Sequence, residues 1–444
     1  MLVYDVLCND PVMKKIQKII LKNPKNSSII RFATKVFLTV LGHLCFLLWR
    51  LLLMETHMFL MPDYYPDFSC KMGACRSACC EGWPISISMK NYFYLLGLNC
   101  NEDLRHRLDC GVRVLDRPTE EEYAKFEPRY DGNCPLRMQD GRCAIHAELG
   151  ENILPDVCRL YPRGIRAEDG LYECSCANSC EAVLELLLEQ EAPIEFIHGE
   201  LTVEMPHLPP RRSFFETMGV EQKIRLYLIS VIQDRSMTLP QRMMCLGEVL
   251  DDMDLAFATK DKAMLDRILS EHRTFSGPFA DIKEICGDHL RFGLDIVERM
   301  IAILDERSQS IRGCGEAALS YFGNGEGAID RYRVARSHFE DLMPEWEIFY
   351  EHMLANHMFF SMFPFQDRPE SMHSEYVALC AVYAIMRFLG LGSMAERREK
   401  SCLVDGMAAA FRLIDHTEFD RLASHLLQRL NCTSREKLCD LILL

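Results

Sequence analysis

The chain has 444 residues, 49% of them hydrophobic and 26% charged: long enough for two or three folded units, and too ordinary in composition for a disordered chain. Its formal net charge of −15 argues against general nucleic-acid binding, which leans on a basic surface. The first 60 residues hold eight Lys or Arg against three Asp or Glu, so they carry +5 and leave −20 on the rest, an acidic body suited to solubility or to a lysine-rich partner.

Residues 1–35 are polar and basic. Residues 36–53 form an 18-residue apolar run broken by His43 and Arg50, at the lower edge of the roughly 17–25 residues a transmembrane helix needs. The run reads as a membrane anchor with a basic flank, as a buried or peripheral helix, or as translation upstream of a natural start at Met54, Met58 or Met61. Residues 1–60 are therefore treated as an extension, and membrane association is expected only if 36–53 insert.

Residues 61–200 make a cysteine-rich domain with little regular strand. Turn formers punctuate it at Pro62, Pro66, Gly73, Gly82, Gly132, Gly141 and Gly170, and helices are predicted at 89–96, 120–126 and 144–149. Pro206, Pro209 and Pro210 mark a loop before a helical domain over 211–444. Apolar residues then recur at helical spacing in EAVLELLLEQE, VEQKIRLYLISVIQDRSM, LPQRMMCLGEVLDDMDLAFA, DHLRFGLDIVERMIAILDERS, PEWEIFYEHMLANHMFFSMF and SEYVALCAVYAIMRFLGLG. No fixed period repeats, so a solenoid is not indicated. The expected fold class is mainly α.

Twelve of the 21 cysteines fall between positions 70 and 180, and in a long chain without a clean signal peptide such clustering reads first as metal ligation. Cys70, Cys75, Cys79 and Cys80 are close enough in sequence for one loop to gather several thiolates, with Gly73 and Gly82 to turn the backbone and Arg76 to favour thiolate. Cys134, Cys143, Cys158 and Cys180 are too far apart to meet without a folded scaffold. These eight are the candidate metal ligands. Thiolates suit zinc and iron–sulfur centres alike, but there is no C-x2-C knuckle, which sets an iron–sulfur centre ahead of zinc and leaves disulfides or inert thiols third. Cys100, Cys110, Cys174 and Cys176 read as ordinary core or surface thiols.

The stretch from Pro62 to Phe68, the cysteines 70, 75, 79 and 80 with Gly82, Trp83, Ile85 and Ile87, the segment CPLRMQDGRCAIHAELGENILPDVCRLYPR and Cys180 resemble the flagellin lysine N-methylase family. A thinner resemblance covers 350–365 and 375–391, and residues 1–60 have no counterpart in it. The resemblance implies methyl transfer from S-adenosylmethionine to lysine side chains of flagellin and dependence on a [4Fe–4S] cluster; a cytoplasmic location is expected from the chain's size and its lack of a clean signal peptide. Zinc is the alternative metal, and a non-catalytic chelating or redox protein the alternative function.

No Gly-rich strand–loop–helix donor site is visible: Gly323, Gly325 and Gly327, and Gly390 with Gly392, read as loops or helix stops. Among polar residues, Asp415 and His416 sit where a late helix ends. Glu347, Tyr350, Glu351 and His352 lie on one helix, placed to meet a lysine ammonium or to form a solvated face. His146 is a ligand or a packed helix histidine. Arg159 and Arg163 balance cluster charge or make surface ion pairs, and Trp83 shields the centre. Catalytic and donor-binding residues are left unassigned.

Overall fold

The computed structural model describes residues 54–444 except 77–78, 82–84, 169–170, 206–219, 276, 278–286, 303–308, 323–326, 367–370, 398 and 417. The apolar run 36–53, Trp83, Gly82, Gly170 and the prolines at 206–210 lie outside the described residues. The chain forms two compact units, residues 1–59 with 199–208, and residues 60–198 with 209–444. In the first, described over 54–59 and 199–205, the Thr56 and Thr202 hydroxyls meet at 2.8 Å. The second holds the cysteine-rich stretch and the helical stretch together.

The cysteine-rich stretch carries more strand than its sequence announces. β1 (Met54–Pro62) ends with Leu60 paired in parallel to Glu173 of β6 (Leu171–Cys176), and β6 forms an antiparallel hairpin with β5 (Arg163–Glu168) from Arg163↔Cys176 to Glu168↔Leu171. A second sheet has the order β2-β4-β3, with β2 at Ile85–Ile87, β3 at Val112–Val114 and β4 at Ala124–Phe126. The expected helix over 120–126 is thus wrong. Its last three residues are the middle strand of that sheet, paired on both edges, and a three-residue strand is too short to show alternation.

Two of the three helices expected here are present, α1 (Met89–Leu96), capped by Ser88, and α3 (Ala144–Leu149); α2 (Glu102–Gly111), capped by Asn101, and α4 (Asp156–Leu160) add to them. Ile87, Leu104, Phe126, Leu136 and Ile145 close the core of this region.

α5 (Glu181–Glu189) opens the helical part and buries Ala182, Val183, Leu184 and Leu187 on one face, the face its leucine spacing marks. After β7 (Phe196–Glu204) come α6 (Glu221–Ile232), α7 (Leu239–Thr259), α8 (Lys262–Ile268), α9 (Gly287–Ala302), α10 (Gln309–Phe322), α11 (Ala328–Leu342), α12 (Trp346–Phe360), α13 (Met372–Arg397), α14 (Lys400–Ile414), α15 (Phe419–Arg429) and α16 (Arg435–Ile442). α7 starts on a capping box in which Thr238 and Gln241 serve each other's backbone N–H groups. α13 is the central helix, packed against α7, α10, α11, α14, α15 and α16. Residues 372–395 of α13 are long and apolar enough to cross a membrane, and 89% of the apolar window is buried by its neighbours.

Gly390 and Gly392 are neither loop nor helix stop, because they lie inside α13. A Cβ on Gly390 would stand 2.1 Å from the Tyr350 hydroxyl, and one on Gly392 2.5 Å from Ala318 Cβ, so both are notches for close packing. Gly327 is a true turn residue, at φ +93° before α11.

Candidate functional site

The chain brings the eight candidate thiols into two neighbouring groups. Cys80, Cys134, Cys143 and Cys158 pack against one core, and each is within electrostatic reach of others in the set. Local pairing puts them there: Cys134 N–H donates to Cys80 carbonyl at 2.8 Å, Glu81 bridges Asn133, and Arg137 bridges Cys143. Cys143 precedes α3, whose Ile145 and His146 N–H groups face its sulfur. Cys180 precedes α5 in the same way, facing the Ala182 and Val183 N–H groups, and lies within reach of Cys75 and Cys70. Cys79 stands between the groups, hydrogen-bonded to Cys80 and in reach of Cys158 and Cys180.

Two glycines set the approach of the first loop. Gly73 (φ +100°) and Gly141 (φ +85°) meet backbone to backbone. A Cβ on Gly73 would lie 2.7 Å from the Gly141 carbonyl and Arg142 Cα, and one on Gly141 2.5 Å from the Gly73 carbonyl. The Cys70–Cys75 loop is thereby laid on the turn that leads into Cys143. Ion pairs fasten its other side to α5: Lys71 to Glu181 at 2.7 Å, and Arg76 to Glu181 at 3.3 Å and Glu185 at 3.1 Å. Arg76 also holds Asp405 of α14 at 3.0 Å, so it serves carboxylates; cations that favour thiolate include Lys71 at Cys75, Arg137 at Cys80 and Arg129 at Cys134.

Burial pushes Cys134 up to about 12 and raises Cys158 and Cys143, and the thiolate charges of the neighbouring cysteines add to that rise. Cys80 alone in this set is lowered, to about 7, chiefly by its hydrogen bond with Cys79 and also by Arg137, against the opposing effect of burial. Buried thiols that resist one another's ionisation are a poor charge arrangement by themselves and a good one around a cation. Donor type and number would suit a thiolate-ligated metal or cluster, for which Cys80, Cys134, Cys143 and Cys158, or Cys70, Cys75, Cys79 and Cys180, are the candidate donors. Among the described residues no three His, Cys, Asp or Glu side chains stand at the spacing of an assembled metal site.

The remaining candidates separate. Cys174 and Cys176 are buried in β6, Cys100 packs at the edge of the core, and exposed Cys110 lies 3.7 Å from His106 Nδ1. Arg159 pairs with Asp156 at 3.3 Å, and Arg163 lies over the Phe68 ring near Cys174 and Cys176. His146 is half-buried on α3, its N–H directed to Cys143.

Glu351 and His352 are not on a solvated face: both are fully buried, Glu351 held by Arg235 (2.9 Å) and Arg242 (2.5 Å), His352 by the Leu187 and Ala192 carbonyls. Tyr350 is buried and donates to Met386 carbonyl, and Glu347 accepts from Leu239 N–H. These side chains are engaged in tying helices together.

Asp415 and His416, just past α14, face different partners. His416 Nε2 is 3.0 Å from Ser179 Oγ, which also accepts from Tyr161 at 3.0 Å, one residue before Cys180. Asp415 Oδ1 is 3.1 Å from His357 Nδ1. Sequence reasoning missed His357, Asp420, Ser179, Tyr161 and the buried network of Tyr64, Asn178 and Asn356. In that network Asn356 donates to Cys176 carbonyl (2.8 Å) and Asn178 Oδ1 (2.6 Å), stitching α12 to the segment before Cys180. The signal was present: Asn356 and His357 are polar residues inside the apolar run MLANHMFF.

Residues 225–440 match the family model of the FliB lysine N-methylase C-terminal domain. The chain is also 25% identical over 131 residues to the lysine-N-methylases of Salmonella choleraesuis and Salmonella typhimurium, a match that covers 29% of this chain and 31% of each of those proteins. It is 25% identical over 156 residues to the flagellar biosynthetic protein FliU of Salmonella muenchen, covering 34% of this chain and 89% of that protein. The chain thus spans about a third of the length of the curated methylases it matches. No solved structure matches it.

Proposed function

We propose that this protein methylates lysine side chains of a protein substrate, flagellin being the expected one, with S-adenosylmethionine as donor and a cysteine-bound iron–sulfur centre as a required cofactor. The similarity of residues 225–440 to a lysine N-methylase domain carries the reading, and the flagellar relative supports the substrate. A lysine with its usual pKa of about 10.4 is an ammonium at neutral pH and has no lone pair to attack with. The enzyme must take that proton and align nitrogen with the methyl carbon. A C–N bond then forms while the C–S bond breaks and its electron pair stays on sulfur.

Cys80, Cys134, Cys143 and Cys158, or Cys70, Cys75, Cys79 and Cys180, would hold the centre. When bound, it would supply an electron-poor iron able to anchor the donor's amino and carboxylate groups. The chain's own contribution is to keep the thiols converged, through the glycine contact, the α3 and α5 N-terminal N–H groups and the Asn356 network.

The test is incubation of the anaerobically purified full chain with flagellin and methyl-labelled S-adenosylmethionine, read by mass spectrometry of flagellin peptides. Label on lysine supports the reading, and its absence with metal-replete protein sinks it. The second reading, a non-catalytic chelating or redox protein, draws on one observation: the thiols at 70–180 lie outside the residues that match the methylase domain. Stoichiometric metal without methyl transfer would favour it.

A further inference from the structure

The outer face of α1 is apolar where solvent meets it. Lys90, Phe93 and Leu96, three residues apart, share that exposed face, while Asn91 and Leu95 are buried. Phe93 is 56% exposed and Leu96 51%, so two large apolar side chains stand side by side in water. The Phe93 ring is nevertheless held in place. Its centroid lies 5.3 Å from the Tyr92 ring and 5.8 Å from the Tyr123 ring, and the two tyrosine rings are 5.1 Å apart. Both tyrosines are half-buried and pack against the core of the cysteine-rich stretch.

The turn before Tyr123 brings carboxylates to the same surface. Met89 N–H donates to the Glu120 carbonyl and Tyr123 N–H to the Ile87 carbonyl, both at 2.9 Å, which pins 120–123 against the start of α1. Thr119 N–H closes the turn on the Glu122 carbonyl at 2.8 Å, and Thr119 Oγ1 accepts from Glu122 N–H at 2.9 Å. Glu120, Glu121 and Glu122 are exposed and make no ion pair among the described residues. With Asp116 they set four carboxylates against Lys90 and Arg117, leaving −4 + 2 = −2 on this surface.

Single exposed apolar side chains are ordinary, but an aromatic cluster continuous with an apolar helix face marks a contact surface. Ring faces attract cations, and the unpaired carboxylates at their edge supply counter-charge of the same preference. An anionic partner would meet repulsion there. A wholly apolar one would cover the glutamates without pairing them, at a cost in desolvation.

We propose that this face, formed by α1, Tyr123 and the 119–122 turn, docks a lysine-bearing segment of a partner protein. Apolar residues of the segment lie on Phe93 and Leu96, and its ammonium groups lie on the ring faces and on Glu120, Glu121 and Glu122. The assignment rests on the lysine-methylation reading and gives its protein substrate a place to bind. Tyr92 and Tyr123 pack against the same core as Cys80, Cys134, Cys143 and Cys158, so the segment docks on the outside of the thiol-bearing stretch.

Isothermal titration of the full chain with two acetylated octapeptide amides, one alternating leucine with lysine and the other leucine with glutamate, tests it. Wild-type protein should bind the lysine peptide about tenfold or more tighter than the glutamate peptide. The Phe93→Ser, Leu96→Ser double variant should bind the lysine peptide about tenfold more weakly at an unchanged melting temperature. Equal binding of the two peptides, or undiminished lysine-peptide binding by the double variant, would overturn the proposal; the second result would assign the attraction to the acidic surface at large. If the double variant does not fold, Glu121→Gln with Glu122→Gln reads the same surface, and unchanged affinity there overturns the proposal equally. Flagellin methylation with an unchanged KM in the double variant would sink the surface and leave the methylase reading standing. Lysine-peptide binding that the double variant loses, with no methylation by wild type, would do the reverse.

Discussion

Glu351 owes its role to its surroundings. A carboxylate on a helix that aligns with methylase sequences invites a catalytic role, but this one is fully buried and satisfied by two arginines from α7 and the segment before it. Removing it would strand two guanidinium groups, one of them buried, so Glu351→Ala should cost about 3–5 kcal/mol of stability. Chemical denaturation checks this; an unchanged midpoint with lost turnover would point to catalysis instead. His373 is a second residue whose partner sets its behaviour. The hydrogen bond it donates to the Asp251 carboxylate raises its pKa against burial, and Asp251, though burial opposes it, is lowered by His373 and Arg435. The histidine's contribution is complete below its unfolded pKa of about 6.5 and is lost as pH rises through the higher folded value; the aspartate's is present above about 3.9 and is lost on acidification. The pair therefore helps most between about pH 4 and 6.5. His373→Gln should flatten the fall in thermal midpoint as pH rises above about 6.5, and an identical slope in both proteins would contradict the assignment.

At the scale of elements, the long apolar helices were legible, while several shorter or more polar helices and the strands were not. α5, α6, α7, α9, α12 and α13 all fall on runs whose apolar residues recur at helical spacing, a local property of sequence. β2, β3 and β4 have three residues each and exist because they pair with one another, which no local pattern reports. Gly390 and Gly392 misled for a related reason: a glycine that makes room for Tyr350 or Ala318 looks in sequence like one that ends a helix. The clustering of the thiols along the chain was readable, but not their division into two groups, which follows the contact of Gly73 with Gly141. Gly73→Ala tests that contact. Its positive φ and the 2.7 Å clash should cost about 1–3 kcal/mol and lower the metal retained per chain. Metal analysis beside a thermal melt reads both, and full metal content would show that the loop contact does not position the thiols.

For the whole molecule, the larger unit joins the thiol-bearing stretch to the helical stretch that resembles methylase domains. α12 links them through Asn356. Thiol chemistry and the helical half should therefore fail together. The most direct measurement is methyl incorporation into flagellin lysines by anaerobically prepared wild-type and Cys158→Ser proteins, each with its bound metal counted. The account predicts metal and methylated lysine in the wild type, and loss of both in the variant. Methylation that persists in Cys158→Ser protein stripped of metal would contradict it.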